Sequence, residues 1–184
     1  MPRLVKFLTV GPIPMVTAIS VLLAGTVGAI RSQTAETNAV VGQATVIDGD
    51  TLEIHGQRLR LAAVDAPEAD QSCTDKVGRR YRCGQSASFA LADFIGRATV
   101  YCTVELDLSG RPQRSYDRLI AACRAHNRDI GSWLVANGWA VPYWKYDGRR
   151  YRDEHDEARF RRAGIWAGSF EDPADHRANK RTTR

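Results

Sequence analysis

The chain has 184 residues and a formal net charge of +5, and its four cysteines include no C-x-x-C pair. The length suits one domain with appendages, and the cysteine spacing argues against a zinc-binding module. The positive charge gathers in runs beside aromatic residues, such as GRRYRCG and DGRRYR, which favours a polyanionic partner only weakly because solvated surfaces carry similar runs.

The first predicted element is an N-terminal targeting segment, residues 1–30. A short basic start precedes residues 7–30, which contain no charge and end among small residues. This layout is typical of a secretory signal with cleavage after Ala29, but residues 7–30 are also nearly long enough for an uncleaved inner-membrane anchor. A buried core helix is the least favoured alternative. We therefore expect export, to the periplasm or outside the cell, and a polar linker over residues 31–42.

Three strands are predicted next, QATVIDGD, TLEIHG and QRLRLAAV. Apolar and polar residues alternate in the second and third strands. A two-residue loop at Gly56–Gln57 predicts a tight hairpin. Continued past the strand ends, this register pairs Asp48 with Asp65 and Asp50 with Ala63. It places the three aspartates together at the open end of the apolar face.

Clustered carboxylates of this kind need a neutralising partner. Like charges opposite each other destabilise a hairpin, so the aspartates indicate a bound cation or strong hydrogen bonds. Asp50 and Asp65 can both reach one hard cation such as Ca²⁺. Asp48 would orient these ligands without contacting the cation itself. Glu68 is placed to act as a base on a bound water. The alternative is that these four acids only shape turns and cap a loop.

The strand pattern downstream predicts how the cysteines pair. A helix over GQSASFALADFIGR is followed by the strands ATVYCTVEL and DRLIAACRA, which a turn-rich segment joins. A hairpin between these strands sets Cys102 opposite Cys123, close enough for a disulfide. Cys73 and Cys83 would then form the second disulfide, which we interpret as stabilisation of an exported protein in preference to an active-site role.

Two more helices are predicted in the C-terminal part, over RDIGSWLVANG and RRYRDEHDEARFRRAG, with the aromatic segment WAVPYWKY between them. The order of elements predicts a small α+β domain over residues 43–170, followed by a basic tail over residues 171–184. We expect its five short antiparallel strands to close as a β-barrel, because closure removes exposed edges, with about three flanking α-helices.

Several motifs resemble those of a known family. IDGDT, LRLAAVDAPE and SYDR, with SWLVANGWA, YWKY and AGIW following in family order, resemble the staphylococcal (thermonuclease-type) nuclease family over about residues 43–168. The resemblance implies an OB-fold barrel with flanking helices. It also implies Ca²⁺-assisted endonucleolytic hydrolysis of DNA and RNA that leaves 3′-phosphate ends. We expect a monomer.

The resemblance assigns roles to the acidic residues by position. Asp50 and Asp65 match calcium ligands, and the backbone carbonyl of Ala66 matches a third, although the family prototype has Thr at that position. A carbonyl ligand should survive this change. Glu68 matches the presumed general base, and Asp48 is expected to support the metal ligands indirectly.

The resemblance also identifies candidate phosphate- and base-binding residues. Arg60 and Arg118 match two phosphate-binding arginines, and Asp117 beside the second replaces a glycine of the prototype. Simple alternation puts Arg60 on the opposite face of the strand from Asp65, so we expect a twist or bulge to turn the Arg60 side chain towards Asp65. The nucleotide-binding aromatics expected from the resemblance are Tyr116, Tyr143, Trp144 and Tyr146.

Two other functions stay open at this point. The same barrel could be a catalytically idle module that binds single-stranded nucleic acid by stacking and charge. The presence of all the carboxylates and both arginines argues against this, because a pure binder has little use for buried acids facing a polyanion. A weaker alternative is a role in envelope or polysaccharide processing that uses the fold without nuclease chemistry.

Overall fold

The computed structural model describes residues 38–182. The predicted signal or anchor segment and most of the predicted linker lie outside this range. Within residues 38–182, no helix has the length and apolar character needed to cross a membrane.

The described part of the chain is an α+β domain with twelve short strands, four α-helices and two 3₁₀ helices. The strands are Ala39–Gly42 (β1), Thr45–Asp48 (β2), Thr51–Ile54 (β3), Gln57–Leu61 (β4), Val64–Asp65 (β5), Cys73–Thr74 (β6), Arg80–Tyr81 (β7), Val100–Val104 (β8), Arg114–Ser115 (β9), Arg118–Ala125 (β10), Arg128–Asp129 (β11) and Val141–Pro142 (β12). The α-helices are Cys83–Ile95 (α1), Ile130–Ala136 (α2), Arg152–Arg161 (α3) and Pro173–Thr182 (α4), and the 3₁₀ helices are Gly148–Tyr151 and Gly164–Ala167.

The main sheet is curled into a half-barrel with the strand order β1-β8-β10-β4-β3-β2. Strands β4 and β10 pair in parallel, whereas the other pairs are antiparallel. The predicted α+β barrel fold is confirmed, with three corrections. The β4–β10 pair is parallel, whereas only antiparallel strands were predicted. Strand β1 occupies residues 39–42, which were predicted as linker, and residues 173–182 of the predicted tail form a fourth helix, α4.

Alternating apolar residues build the core, as strand geometry requires. Leu52 and Ile54 of β3 and Leu59 of β4 are fully buried on the inner face. Helix α1 adds Leu91 and Ile95 to the same core, one helical turn apart. The apolar face of the predicted helix therefore packs against the barrel.

The β3–β4 hairpin differs in register from the prediction. Leu52 pairs with Leu59 and Ile54 with Gln57, so the loop is His55–Gly56 and not Gly56–Gln57. Both loop residues have positive φ, 52° and 75°, as a tight hairpin turn requires. Because the shift is two residues, every side chain keeps its face. The apolar face was therefore predicted correctly even though the pairing was not.

Both predicted disulfides are present. Cys102 of β8 and Cys123 of β10 are direct cross-strand partners with Cα atoms 4.0 Å apart. Cys73 and Cys83 form the second bridge, with Cα atoms 5.6 Å apart, and tie β6 to the start of α1. Two disulfides are typical of extracellular or periplasmic proteins.

Candidate active site

A cleft of about 550 Å³ opens between β4, the segment that follows β5, the start of β10 and α4. Asp65 lies beneath it and is 1% exposed. Trp144 is not among the lining residues; its ring meets His155 edge-on at 5.3 Å, and Arg152 lies over it at 5.4 Å. The predicted site residues that line the cleft are Asp48, Asp50, Arg60, Ala66, Glu68, Tyr116, Arg118, Tyr143 and Tyr146.

The turn between β2 and β3 positions the first two acids. The Asp48 carboxylate accepts a hydrogen bond of 3.0 Å from the Asp50 backbone N–H, which stabilises the turn. Gly49 lies so close to the β5 loop that a Cβ atom there would be 2.7 Å from Cβ of Ala66. Asp48 thus does shape a turn, and this turn delivers the Asp50 side chain to the cleft.

An interruption of the strand between β4 and β5 brings Arg60 and Asp65 together. Ala63 adopts a left-handed conformation with φ of 62°, so β5 leaves the line of β4. The Arg60 guanidinium then donates to Asp50 Oδ1 at 2.7 Å and to Asp65 Oδ1 at 2.9 Å. Simple alternation alone would place Arg60 on the face opposite Asp65, but alternation does not continue through this interruption, and the two side chains meet as the resemblance requires.

The predicted pairings of Asp48 with Asp65 and of Asp50 with Ala63 are wrong. Asp48 ends β2 and pairs with Thr51 across a turn, and the Asp50 carbonyl accepts from the Leu61 N–H.

Burial makes Asp50 costly to ionise. The residue is 5% exposed, and desolvation raises its pKa from 3.8 to about 7. Arg60 opposes this rise in pKa, whereas the charges of Asp48 and Asp65 add to it. Arg60 therefore does not fully offset the desolvation of Asp50 together with the charges of its acidic neighbours.

The acids fit a hard cation. Asp50 and Asp65 offer buried carboxylate oxygens on either side of one guanidinium, and such oxygens are the ligands Ca²⁺ prefers. Within residues 38–182, no group of three or more His, Cys, Asp or Glu side chains is arranged to hold a metal ion. The remaining ligands would have to be neutral oxygens, such as the Ala66 carbonyl, water and substrate.

Arg118 reaches the same cleft from the neighbouring strand. The parallel register of β10 with β4, in which Leu119 lies beside Leu59, brings the start of β10 to the cleft edge. Arg118 Nη1 donates to Thr51 Oγ1 at 2.9 Å. Two arginines from adjacent strands thus border the acids.

Three of the predicted aromatic residues line the cleft. Tyr116 is 89% exposed at a turn with φ of 58°. The rings of Tyr143 and Tyr146 meet edge-on at 4.9 Å, and the Arg60 guanidinium lies 5.8 Å from the Tyr143 ring centre. Flat, partly exposed rings beside arginines are suited to stacking with nucleic-acid bases.

A buried glutamine and a glycine fix the segment that carries Glu68. The Glu68 N–H donates to Gln71 Oε1 at 3.1 Å, and the Gln71 side chain donates to the Glu171 carbonyl at 2.6 Å. A Cβ atom on Gly84, the second residue of α1, would lie 1.8 Å from the Glu68 carbonyl oxygen. Gly84 therefore lets the Glu68 segment rest directly on the helix.

The structure adds a residue that the sequence interpretation missed. Arg177 of α4 donates to both carboxylate oxygens of Asp65, at 2.8 and 2.7 Å, and to Glu68 Oε1 at 2.8 Å. The hydrogen bonds to Asp65 are the largest cause of the rise in the pKa of Arg177. The available signal was a proline followed by ADHRANKR, which is compatible with a helix start and basic residues one turn apart.

Comparison with known proteins gives two matches. Residues 58–168 match the family model described as staphylococcal nuclease homologue. The succinoglycan biosynthesis protein ExoI of Rhizobium meliloti (strain 1021) is 38% identical over 128 residues. That alignment covers 69% of this chain and 64% of the relative, so the chain spans less than two thirds of the relative's length.

Proposed function

Because the chain belongs to the staphylococcal nuclease family, we propose that it is a calcium-assisted endonuclease acting on DNA, RNA or both. The observation that most supports this is the Arg60 bridge between Asp50 and Asp65 in a cleft that also contains Glu68 and Arg118. Buried acids facing a polyanion hinder simple binding, whereas phosphodiester hydrolysis uses a base, a cation site and arginines.

In this proposal Glu68 is the general base. It removes a proton from the water that attacks the phosphorus atom. The bond from phosphorus to the 5′ oxygen then breaks, this oxygen takes a proton from solvent, and the product keeps a 3′-phosphate. Arg60 and Arg118 donate hydrogen bonds to the phosphate oxygens as negative charge develops on them.

Asp50, Asp65 and the Ala66 carbonyl are the proposed metal-binding groups. Ca²⁺, when bound, would supply positive charge to a phosphate oxygen. Asp48 supports this arrangement through its hydrogen bond to the Asp50 N–H. The Asp50 carboxyl is buried, with its pKa raised chiefly by desolvation, and a cation bound there would favour its ionised form.

The tyrosines are the proposed base-stacking surface. Tyr116, Tyr143 and Tyr146 line the cleft, whereas Trp144 packs on α3. Because stacking on an aromatic ring contributes about 1–3 kcal/mol per base, we expect Tyr143→Ala to weaken binding of a short single-stranded DNA by about tenfold. Trp144→Ala is the matched control and should leave the affinity within about twofold. Equal losses in fluorescence-anisotropy titrations would contradict this assignment.

We also propose that the protein is exported and acts as a monomer. The two disulfides support an oxidising compartment. Residues 7–30, the proposed cleaved signal or inner-membrane anchor, lie outside the described residues. N-terminal sequencing of the protein from its native host would distinguish cleavage from anchoring.

Two alternatives start from different observations. Exposed tyrosines and arginines around the cleft would also serve a catalytically idle module that binds single-stranded nucleic acid. The relative's name, succinoglycan biosynthesis protein, favours a role connected with polysaccharide production as a further candidate. Neither alternative uses a base at Glu68.

The proposal is tested by incubating the purified protein with single-stranded DNA and with RNA, in Ca²⁺ or in chelator. We expect cleavage with Ca²⁺, none with chelator, and 3′-phosphate ends detected by phosphatase treatment. Binding without cleavage would support the idle module. Neither binding nor cleavage would favour the polysaccharide role.

A further inference from the structure

Charged contacts hold the C-terminal helix α4 against the domain. Among the described residues of α4, Pro173 is the one that is buried. His176 Nδ1 lies 2.8 Å from Glu171 Oε2, and its other ring nitrogen lies 3.6 Å from Asp70 Oδ1. Lys180 forms an ion pair with Asp70. Because so little of α4 is buried, the helix is docked by electrostatics and not by a hydrophobic core. Exposed ion pairs contribute little stability and are screened by salt, so this docking is weak.

The strongest of these contacts is made inside the candidate active site. Arg177 Nη1 and Nη2 donate to Oδ1 and Oδ2 of Asp65, and Nη1 also donates to Glu68 Oε1. Arg60 approaches Asp65 Oδ1 from the other side at 2.9 Å. Both oxygens of Asp65 therefore have arginine donors, and the proposed base is paired as well.

This arrangement conflicts with metal binding at the same carboxylate. A hard cation binds through the carboxylate oxygens that Arg177 occupies, and two positive groups on one carboxylate repel each other. We propose that Arg177 and Ca²⁺ compete for Asp65, so that docking of α4 closes the site and metal binding releases α4. This inference rests on the proposed function, which supplies the metal.

The competition also controls the proposed base. While Arg177 donates to Glu68 Oε1, that oxygen is less able to accept a proton from water. Release of α4 would free the Asp65 oxygens and Glu68 in one step. The helix would therefore keep the protein inactive until the cation is present.

The expected size of the effect follows from linkage. If Ca²⁺ binds only when α4 is undocked, its apparent affinity falls in proportion to the undocked fraction. The bidentate pair of Arg177 with Asp65 is a strong geometry, but the Arg177 side chain is still 29% exposed. We therefore expect docking to weaken Ca²⁺ binding by about tenfold.

The test is a calorimetric titration of the purified full chain with calcium chloride, without nucleic acid. Wild type is compared with Arg177→Gln and with the control Arg181→Gln. Arg181 lies one turn later on α4 and donates to the backbone carbonyl of Arg177. We expect Arg177→Gln to bind Ca²⁺ about tenfold more tightly and Arg181→Gln to remain within about twofold of wild type.

Hydrogen exchange of the wild-type protein provides a second measurement that needs no substitution. Backbone amides of residues 174–182 should exchange faster when Ca²⁺ is added, because α4 leaves its docked position. The core strand β3 should show no such increase and serves as the internal control.

The outcomes separate this inference from the proposed function. Equal Ca²⁺ affinity in all three proteins, or α4 exchange that Ca²⁺ leaves unchanged, would overturn the competition and leave the nuclease proposal standing. An equal increase in Ca²⁺ affinity in Arg177→Gln and Arg181→Gln would mean that the loss of any positive charge near the site has this effect, and it would also overturn the competition. Failure of all three proteins to bind Ca²⁺ would overturn both the competition and the metal assignment.

Discussion

Replacement of the buried Asp50 by asparagine should stabilise the metal-free protein at alkaline pH. In the folded state, burial raises the pKa of this carboxyl to about 7 from 3.8. The folded protein therefore holds the proton more tightly than the unfolded chain does. The stability contributed by this group is full below 3.8 and falls as the pH rises to about 7.

The magnitude follows from the pKa difference. One pKa unit corresponds to about 1.4 kcal/mol, so ionised Asp50 lowers the free energy of unfolding by at most about 4 kcal/mol. Asparagine removes the charge, but its single side-chain oxygen can accept from Arg60 at the Oδ1 position or from the Ala66 N–H at the Oδ2 position, not from both, and the lost hydrogen bond costs about 2 kcal/mol. We therefore expect Asp50→Asn to raise the free energy of unfolding by about 2 kcal/mol near pH 8.

Urea denaturation in chelator, at about pH 8 and about pH 4, provides the assay. The gain of Asp50→Asn over wild type should largely disappear at the lower pH, where wild-type Asp50 is protonated in the folded state. Asp48→Asn is the comparison. Asparagine can still accept from the Asp50 N–H, and because the Asp48 charge adds to the rise in the pKa of Asp50, the loss of this charge should give a gain at the higher pH that is smaller than that of Asp50→Asn and absent at the lower pH. A destabilised Asp50→Asn protein at the higher pH, or a gain independent of pH, would refute the reasoning.

Two further predictions concern the framework of the site. Gly84→Ala places a Cβ atom 1.8 Å from the Glu68 carbonyl oxygen and should therefore displace this segment. We expect slower cleavage and a loss of about 1–3 kcal/mol of stability. The control, Ser86→Ala on the same helix, should have little effect. A Gly84→Ala protein with wild-type cleavage and melting temperature would count against this contact. Removing the bridge with Cys73→Ser and Cys83→Ser should cost about 2–3 kcal/mol in urea denaturation, since the bridged residues are 10 positions apart. An unchanged midpoint would show that the loop is ordered without the bridge.

The parts of the fold that were predicted correctly depend on short-range periodicity. Alternation identified the inner face of β3 and β4, and the cross-strand position of Cys102 and Cys123 followed from one hairpin. The β3–β4 loop was misplaced because Gly56 fits either position of a two-residue turn, and positive φ at His55 has no clear sequence signal.

The parts of the site that were missed depend on local strain and on distant contacts. The left-handed conformation of Ala63, which turns β5 so that Asp65 meets Arg60, is unusual for alanine and cannot be inferred from alternation. Arg177 is 112 residues from Asp65 in the chain, and the segment that carries it has few apolar residues to indicate packing. A helix docked by charge leaves little periodic signal in a sequence.

The central claim is that this cluster of acids and arginines hydrolyses phosphodiesters. Its most direct test is single-turnover cleavage of a short single-stranded DNA by the Glu68→Gln variant at saturating Ca²⁺. Glutamine keeps the shape of the side chain but cannot accept the proton from water. We expect the rate to fall by at least about 100-fold relative to wild type, with DNA affinity within about threefold. Cleavage by Glu68→Gln at the wild-type rate would contradict the claim.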